Sequence, residues 1–212
     1  MALVICALTL KGGVGKTTTA VALAESAALG TQTVLIDADP MGSAYRWSRL
    51  AAESGQPLRC TVTPMPADDL ARRAAAAGRG AGCVVIDAPP PGPGAVRIAA
   101  AAIAASDVLV IPVPPELAAL DRVSATYKQA REAATPALAV LTMVRTGLPE
   151  REGARSALGS WGVPVAATEL PLAVSVQRAY GQQVTGLLAR FGLDLLAEIL
   201  DLTQPTKGAS DA

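Results

Sequence analysis

Short apolar runs alternate along the chain with longer segments in which apolar residues recur at helical spacing. Runs that are apolar throughout and bounded by turn residues are typical of buried parallel strands. The alternation predicts a doubly wound α/β fold, with a mostly parallel sheet covered by helices on both faces. The predicted strands are 3–8, 33–36, 58–62, 83–86, 108–113 and 138–144, and the predicted helices are 20–29, 45–53, 67–77, 95–105, 117–133, 150–160 and 184–202.

The length and composition suit one domain with a full apolar core. We expect this domain to span residues 1–202 of the 212, followed by a polar tail at 203–212 that we expect to be disordered. Cys6, Cys60 and Cys83 lie far apart in predicted strands, which indicates buried free thiols in a reducing cytosol. We therefore expect a cytoplasmic protein without a signal peptide, because Met1 leads directly into the first strand.

Charge and histidine content limit the chemistry that the chain can perform. Histidine is absent, which excludes His general bases and His metal ligands and leaves Asp, Glu and Lys. The 18 basic residues balance the 18 acidic residues, so any contact with nucleic acid must come from a local patch.

A glycine-rich loop between the first predicted strand and the first predicted helix carries the strongest functional signal. Its residues 11–18 read Lys-Gly-Gly-Val-Gly-Lys-Thr-Thr. Glycines let successive backbone N–H groups turn inward on phosphate oxygens, and the helix N-terminus adds partial positive charge. Lys16 would reach the β- and γ-phosphates, and the Thr17 hydroxyl would ligate Mg²⁺. The predicted nucleotide-binding residues are Gly12, Gly13, Val14, Gly15, Lys16, Thr17 and Thr18.

Three aspartates follow predicted strands whose carboxyl ends share one edge of the sheet. Asp37 and Asp39 stand two residues apart, so we expect both to point toward the nucleotide. A helix cap before Met41 would need one aspartate, not two. Asp87 ends the apolar run 83–86, which by itself is a weak signal.

The loop resembles the deviant Walker A box of the ParA/MinD family of ATPases, because it carries the extra lysine Lys11 and has Leu10 where the standard pattern has glycine. The boxes at 37–40 and 87–90 follow in the family's order, and the resemblance extends over about residues 3–202. In extent the chain is similar to the small ParF-type and the short chromosomal partition ATPases. We expect it to lack the N-terminal helix-turn-helix of the larger ParA proteins. Met41 and Ala88 depart from the family, which often has glutamine and a hydroxyl residue there.

The resemblance implies a P-loop NTPase fold, ATP and Mg²⁺ as cofactors, and hydrolysis of ATP by Lys11, Lys16 and Asp39. Lys11 would cross to the phosphates of the partner subunit in an ATP-bound homodimer. Asp39 would orient or activate the attacking water, and Thr17, Asp37 and Asp87 would hold the metal. The adenine would contact Pro112 and Val113, although a strand that simply ends in prolines fits this segment equally well. No guanine-specific Asn-Lys-x-Asp box is present, which favours ATP over GTP.

Implied partners are non-specific DNA in the nucleoid and a centromere-binding protein of the ParB or ribbon-helix-helix type. The DNA contacts have weak support, because Ala173 stands where the family has arginine. The local substitutes are Arg178, Arg155, Arg151 and Arg145. We expect no membrane binding, because the last predicted helix is acidic and suits a place in the core.

Two other functions stay open at this point. One is a MinD-like positioning ATPase that binds membrane, which liposome binding would reveal. The other is a P-loop metabolic enzyme related to dethiobiotin synthetase, which would need a second small substrate.

Overall fold

The computed structural model of the chain describes residues 2–65, 69–89, 95–145 and 147–203. Its strands are β1 (Leu3–Ala7), β2 (Thr33–Asp37), β3 (Thr61–Pro64), β4 (Cys83–Asp87), β5 (Val108–Val113), β6 (Ala137–Val144) and β7 (Val165–Pro171). They form one sheet in the order β3-β2-β4-β1-β5-β6-β7, and every neighbouring pair is parallel. The predicted fold class is confirmed.

Helices cover both faces of this sheet. They are α1 (Lys16–Ala27), α2 (Ser43–Glu53), α3 (Leu70–Gly78), α4 (Ala95–Ala104), α5 (Leu117–Glu132), α6 (Glu150–Ser160), α7 (Val174–Gln177) and α8 (Gly186–Thr203). One apolar cluster lies under α1, α2 and α8, with Trp47 and Phe191 buried in it. The other lies under α3, α4, α5 and α6, around Leu70, Ile103 and Leu158. The sheet therefore lies between the two clusters, at the centre of the apolar core.

Several predicted boundaries move. The strand predicted at 58–62 runs from Thr61 to Pro64, so the buried Cys60 precedes it. The first helix begins at Lys16 rather than near 20, directly after the loop. The segment 164–183, for which the sequence predicts no strand or helix, contains β7 and the short α7. Residues 66–68, most of the proline-rich loop 89–94 and the tail from 204 lie outside the described residues. All three cysteines are buried and free, as predicted.

Helix α8 packs closely against α1 through a glycine. A Cβ atom on Gly192 would stand 2.4 Å from the carbonyl oxygen of Ala22 and 2.5 Å from Oγ of Ser26, so only glycine fits. The apolar face of α8, with Leu188, Phe191, Leu195 and Ile199, is buried. The core role predicted for the last helix is confirmed. Within the described part of the chain, no helix has the length and hydropathy needed to cross a bilayer.

The outer strand β7 is tied down by side chains. Its register against β6 shifts between Val165 and Glu169. In that stretch Glu198 of α8 accepts hydrogen bonds from the N–H groups of Ala167 and Thr168, both at 2.7 Å. On the other side Arg155 of α6 donates to the carbonyl oxygens of Ala166 and Ala167.

The strand order reverses at β1, which lies between β4 and β5. In open α/β sheets this reversal opens a crevice at the carboxyl ends of the strands, where ligands bind. The glycine-rich loop leaves β1 at this point and enters α1. The topology therefore places the loop, and the ends of β2 and β4, around one crevice.

Candidate functional site

The loop between β1 and α1 is held in a defined shape. Gly13 and Gly15 have φ angles of +72° and +85°, a left-handed conformation that favours glycine. Oγ1 of Thr142, at the end of β6, donates a 2.8 Å hydrogen bond to the carbonyl oxygen of Val14. Oγ1 of Thr19 donates at 2.9 Å to the carbonyl of Gly15. The loop is therefore anchored from α1 and from a strand across the crevice.

Lys16 and Thr17 converge on the carboxylate of Asp87. The Nζ atom of Lys16 lies 2.8 Å from Oδ1, and Oγ1 of Thr17 donates to Oδ2 at 2.7 Å. Lys16 and Asp87 are both buried. Burial raises the pKa of the Asp87 carboxyl, and the charge of Lys16 and the two hydrogen bonds oppose this rise. Three predicted residues thus meet at the carboxyl ends of β1 and β4, as the sequence led us to expect.

These groups fit Mg²⁺ when it arrives with a nucleotide. A hydroxyl and a carboxylate are oxygen donors of the kind that Mg²⁺ prefers. Among the described residues, no group of three or more His, Cys, Asp or Glu side chains could hold a metal by itself. Magnesium usually takes one or two carboxylates and completes its shell with phosphate and water. Thr17 and Asp87 match that partial set.

Asp37 and Asp39 do not point the same way. The carboxylate of Asp37 accepts the N–H groups of Tyr45 at 2.8 Å and Asp39 at 3.2 Å, at the start of α2. Asp39 accepts the N–H of Met41 at 2.9 Å and lines the cavity over the loop. Contrary to our expectation, the carboxylates of both aspartates accept hydrogen bonds from backbone N–H groups. Helix α2 begins at Ser43, two residues later than a helix capped before Met41 would begin, and both aspartates bind the backbone that leads into it.

Asp37 carries an unfavourable buried charge. Its side chain is fully buried, and burial raises its pKa to about 6, with repulsion from Asp87 and Asp39 adding to the rise. The N–H group of Tyr45 opposes it. Its assignment to the metal stays a prediction, and in this conformation both of its oxygens are engaged by the backbone.

Lys11 stands apart from the other loop lysine. Its Nζ atom lies 2.8 Å from Oε2 of Glu116, the residue before α5, and the lysine side chain is 31% exposed. Nearby, Arg122 of α5 donates to the carbonyl oxygen of Leu10 at 2.9 Å. Lys11 is thus directed away from Asp87 and toward α5.

Two adjoining cavities lie along the loop. The first, of about 420 Å³, is lined by residues 11–18 together with Asp39, Ser43, Trp47, Met143 and Tyr180. The second, of about 140 Å³, is mostly apolar and continues past Gly15 between the ends of β6 and β7. Its lining includes Thr142, Met143, Leu172 and Ala173. A phosphate group suits the first cavity, and a flat apolar ring suits the second.

The residues predicted to contact the base lie elsewhere. Pro112 and Val113 are buried within β5, where Pro112 faces Val140 of β6, and neither lines the two cavities. Met143 lines both cavities and has a φ angle of +54°, where the register between β6 and β7 shifts. No pattern in the sequence pointed to Met143, because a strand bulge changes no residue type in a recognisable way.

The four candidate DNA-binding arginines divide into two pairs. Arg151 and Arg155 both bind Glu169 of β7, with shortest distances of 2.7 and 2.6 Å. Arg145 and Arg178 are exposed and make no ion pair within the described residues. Arg155 in particular is only 24% exposed and also holds two backbone carbonyls, so its position serves the fold.

Comparison with known proteins agrees with this geometry. Residues 5–185 match the model of the CobQ/CobB/MinD/ParA nucleotide-binding domain. The chain is 36% identical over 166 residues to the maintenance of carboxysome distribution protein A of Gloeobacter kilaueensis, covering 76% of this chain and 73% of that protein. It is 35% identical over 166 residues to the chromosome-partitioning ATPase Soj of Thermus thermophilus, covering 64% and 66%. The structure of the cell division ATPase MinD from Pyrococcus furiosus superimposes with a TM-score of 0.78 at 18% identity, covering 95% of this chain and all of that one.

Proposed function

The chain belongs to the CobQ/CobB/MinD/ParA nucleotide-binding family and is an ATPase, and on that premise we propose that it is a partition or positioning switch. In this cycle ATP and Mg²⁺ join two monomers face to face, and the dimer binds DNA without sequence preference. A partner protein on the cargo stimulates hydrolysis and so releases the dimer. The protein acts in the cytoplasm, on the nucleoid.

The observation that carries the proposal is the separation of two lysines on one loop. Lys16 lies with Thr17 and Asp87 at the phosphate end of the crevice. Lys11, on the rim of the same cavity, is partly exposed and pairs instead with Glu116 at the start of α5. A cation that its own phosphate site does not use is available to a second subunit, where it would offset charge that develops during phosphoryl transfer.

Within one subunit the residues divide the work of phosphoryl transfer to water, which consists chiefly of positioning and charge stabilisation. Lys16 would leave Asp87 for the β- and γ-phosphates, and Thr17 and Asp87 would then hold Mg²⁺. Bound Mg²⁺ would neutralise phosphate charge. One oxygen of Asp39 makes no hydrogen bond within the described residues and faces the cavity, where it would orient the attacking water. The adenine would lie against Met143 and Leu172.

The relatives indicate only the general class of cargo and partner, not their identity. The names of these relatives refer to carboxysome distribution and to chromosome partitioning. A shared ATP cycle with a different partner protein accounts for both. The partner we propose is a centromere-binding protein of the ParB or ribbon-helix-helix type, and exposed Arg145 and Arg178 are the candidate DNA contacts. A MinD-like membrane helix has less support, because the apolar face of α8 is buried against α1.

Replacement of Lys11 tests the proposal most directly. Lys11→Ala should leave the ATP affinity of the monomer nearly unchanged, because Lys11 lies away from Asp87, and should abolish ATP-dependent dimerisation and turnover. Calorimetry measures ATP affinity, and light scattering with a slowly hydrolysed ATP analogue measures the dimer. Lys128→Ala, which removes an exposed lysine from α5, is the control and should behave as wild type. A Lys11→Ala protein that dimerises and hydrolyses ATP normally would contradict the proposed cycle.

A further inference from the structure

Lys11 is already paired within its own subunit. Its ammonium lies 2.8 Å from the Glu116 carboxylate, across a sequence separation of 105 residues. Glu116 occupies the N-cap position of α5, with its side chain 65% exposed. It also lines a cavity of about 340 Å³ with Pro114, Met143 and Arg145, next to the candidate base site. The contact therefore joins the loop to the start of α5 beside the nucleotide crevice.

A second contact fixes the backbone from which Lys11 extends. Arg122, further along α5, donates to the carbonyl oxygen of Leu10 at 2.9 Å. Backbone and side chain of the loop entry are thus both held by α5 in this structure. A lysine ammonium carries three N–H donors, but the Lys11 side chain is held against Glu116 of its own subunit at 2.8 Å. Lys11 must therefore turn away from Glu116 before it can extend to an anion in another subunit.

We propose that Glu116 is a holding residue for Lys11 in the monomer, and that it competes with the phosphates of the partner subunit for this lysine. The inference rests on the proposed function, because it assumes that Lys11 crosses the dimer interface. When Lys11 crosses, Glu116 loses its cation but remains at the positive end of α5, which keeps its charge tolerable. The contact thereby raises the protein concentration at which ATP produces the dimer.

Because the Lys11–Glu116 pair is exposed to solvent, its loss can change the dimer dissociation constant by only a limited factor. Exposed ion pairs contribute little, and each dimer must break two of them. The change expected from losing both contacts is a dimer dissociation constant lower by about 2-fold to about 30-fold. Such a change moves the threshold for assembly without locking the protein in either state.

Glu116→Gln, with Glu132→Gln as its control, tests the holding contact. Glu132 lies at the other end of the same helix, is also 65% exposed, and within the described residues pairs with Lys128 alone, at 3.9 Å. Both changes remove one negative charge from α5. With a slowly hydrolysed ATP analogue and Mg²⁺, light scattering should show a tighter dimer for Glu116→Gln and a wild-type dimer for Glu132→Gln.

Amine labelling of the nucleotide-free monomer tests the same contact without the dimer. Mass spectrometry should show Lys11 acetylated about 1.5-fold to 5-fold faster in Glu116→Gln, relative to Lys128 in the same sample, as expected for loss of an exposed pair. An unchanged labelling rate, or a dimer of Glu116→Gln that is no tighter than wild type, would overturn the inference. A wild-type protein that does not dimerise with the analogue would instead overturn the proposed function, and the inference with it.

Discussion

At the scale of single residues, the site is built around two buried carboxyl groups in which burial disfavours the ionised form. Asp37 and Asp87 are both fully buried, at neighbouring positions on β2 and β4. Without nucleotide, Asp87 is balanced by Lys16 and Thr17, whereas Asp37 has backbone N–H groups as its hydrogen-bond partners. Asp37 is therefore a residue through which pH should act on the stability of the fold.

Replacement of Asp37 should change the pH dependence of the free energy of unfolding. Its folded pKa of about 6 exceeds the ordinary value of 3.8, so the folded state binds more protons between these values. The stability from this group is complete below pH 3.8 and is lost as the pH rises through 6. Wild type should therefore lose roughly 3 kcal/mol relative to Asp37→Asn between pH 4 and 7.5. Urea unfolding with EDTA and without nucleotide measures the difference, and parallel curves for the two proteins would contradict the prediction.

The contacts that could be predicted were those fixed by the order of parallel strands in the sheet, even between residues about 70 positions apart. The loop lysine, the hydroxyl of Thr17 and the strand-ending Asp87 meet because parallel strands present their carboxyl ends at one edge. The partners of Asp37 depend on where α2 begins, and the partner of Lys11 lies 105 residues away on a helix. No local pattern encodes either contact, so both required the structure.

At the scale of elements, the packing of α8 on α1 depends on the missing side chain of Gly192. Gly192→Ala would place a Cβ atom 2.4 Å from the carbonyl oxygen of Ala22, and backbone cannot move as easily as a side chain. We expect a loss of about 1–3 kcal/mol in the free energy of unfolding, as in other overpacked cores. Urea denaturation followed by circular dichroism provides the measurement.

The matched change Gly153→Ala separates packing from helix propensity. Gly153 lies in α6, is exposed, and would have no atom within 4 Å of an added Cβ. Alanine there should stabilise the protein by about 0.5–1 kcal/mol, because glycine is a poor helix residue. If Gly192→Ala were also stabilising, the close contact between α1 and α8 would be wrong.

Among the elements, the fully buried strands could be predicted and the outer ones could not. β1 and β5 are uninterrupted apolar runs, and β4 is apolar up to the terminal Asp87, since both faces of these strands are covered. The outer strand β7 contains Thr168 and Glu169 and a shift of register, so it has neither alternation nor an apolar run. The other outer strand, β3, is partly exposed, and its apolar signal begins too early at Leu58.

At the scale of the whole molecule, charge balance would make the proposed DNA binding depend on assembly. The net charge is zero, so one subunit has little general attraction for phosphate. In the proposed dimer, exposed Arg145 and Arg178 from two subunits would form one basic surface. Binding should therefore require ATP, ignore sequence, and weaken with salt at a slope that reports the number of phosphates contacted.

Charge reversal at Arg178 tests this surface. Arg178→Glu should weaken ATP-dependent DNA binding and reduce the slope of log affinity against log salt by about 2 per dimer, one contact from each subunit. ATP affinity should not change. Arg72→Glu, at an exposed residue of α3 on the opposite face of the sheet, is the control. Fluorescence anisotropy over a salt series provides the data, and equal binding with and without ATP would contradict the switch.

The side chains that hold β7 also block one way in which copies of the protein could associate. A strand at the edge of a sheet is a template on which a foreign strand can grow, and natural proteins block such edges. Glu198 occupies two N–H groups of β7, and Arg155 occupies two carbonyls. Within the described residues, the opposite edge is the four-residue β3, which ends in proline. Edge-to-edge pairing between the sheets of neighbouring molecules is therefore disfavoured, which helps to protect a protein concentrated on a crowded surface from amyloid-like aggregation.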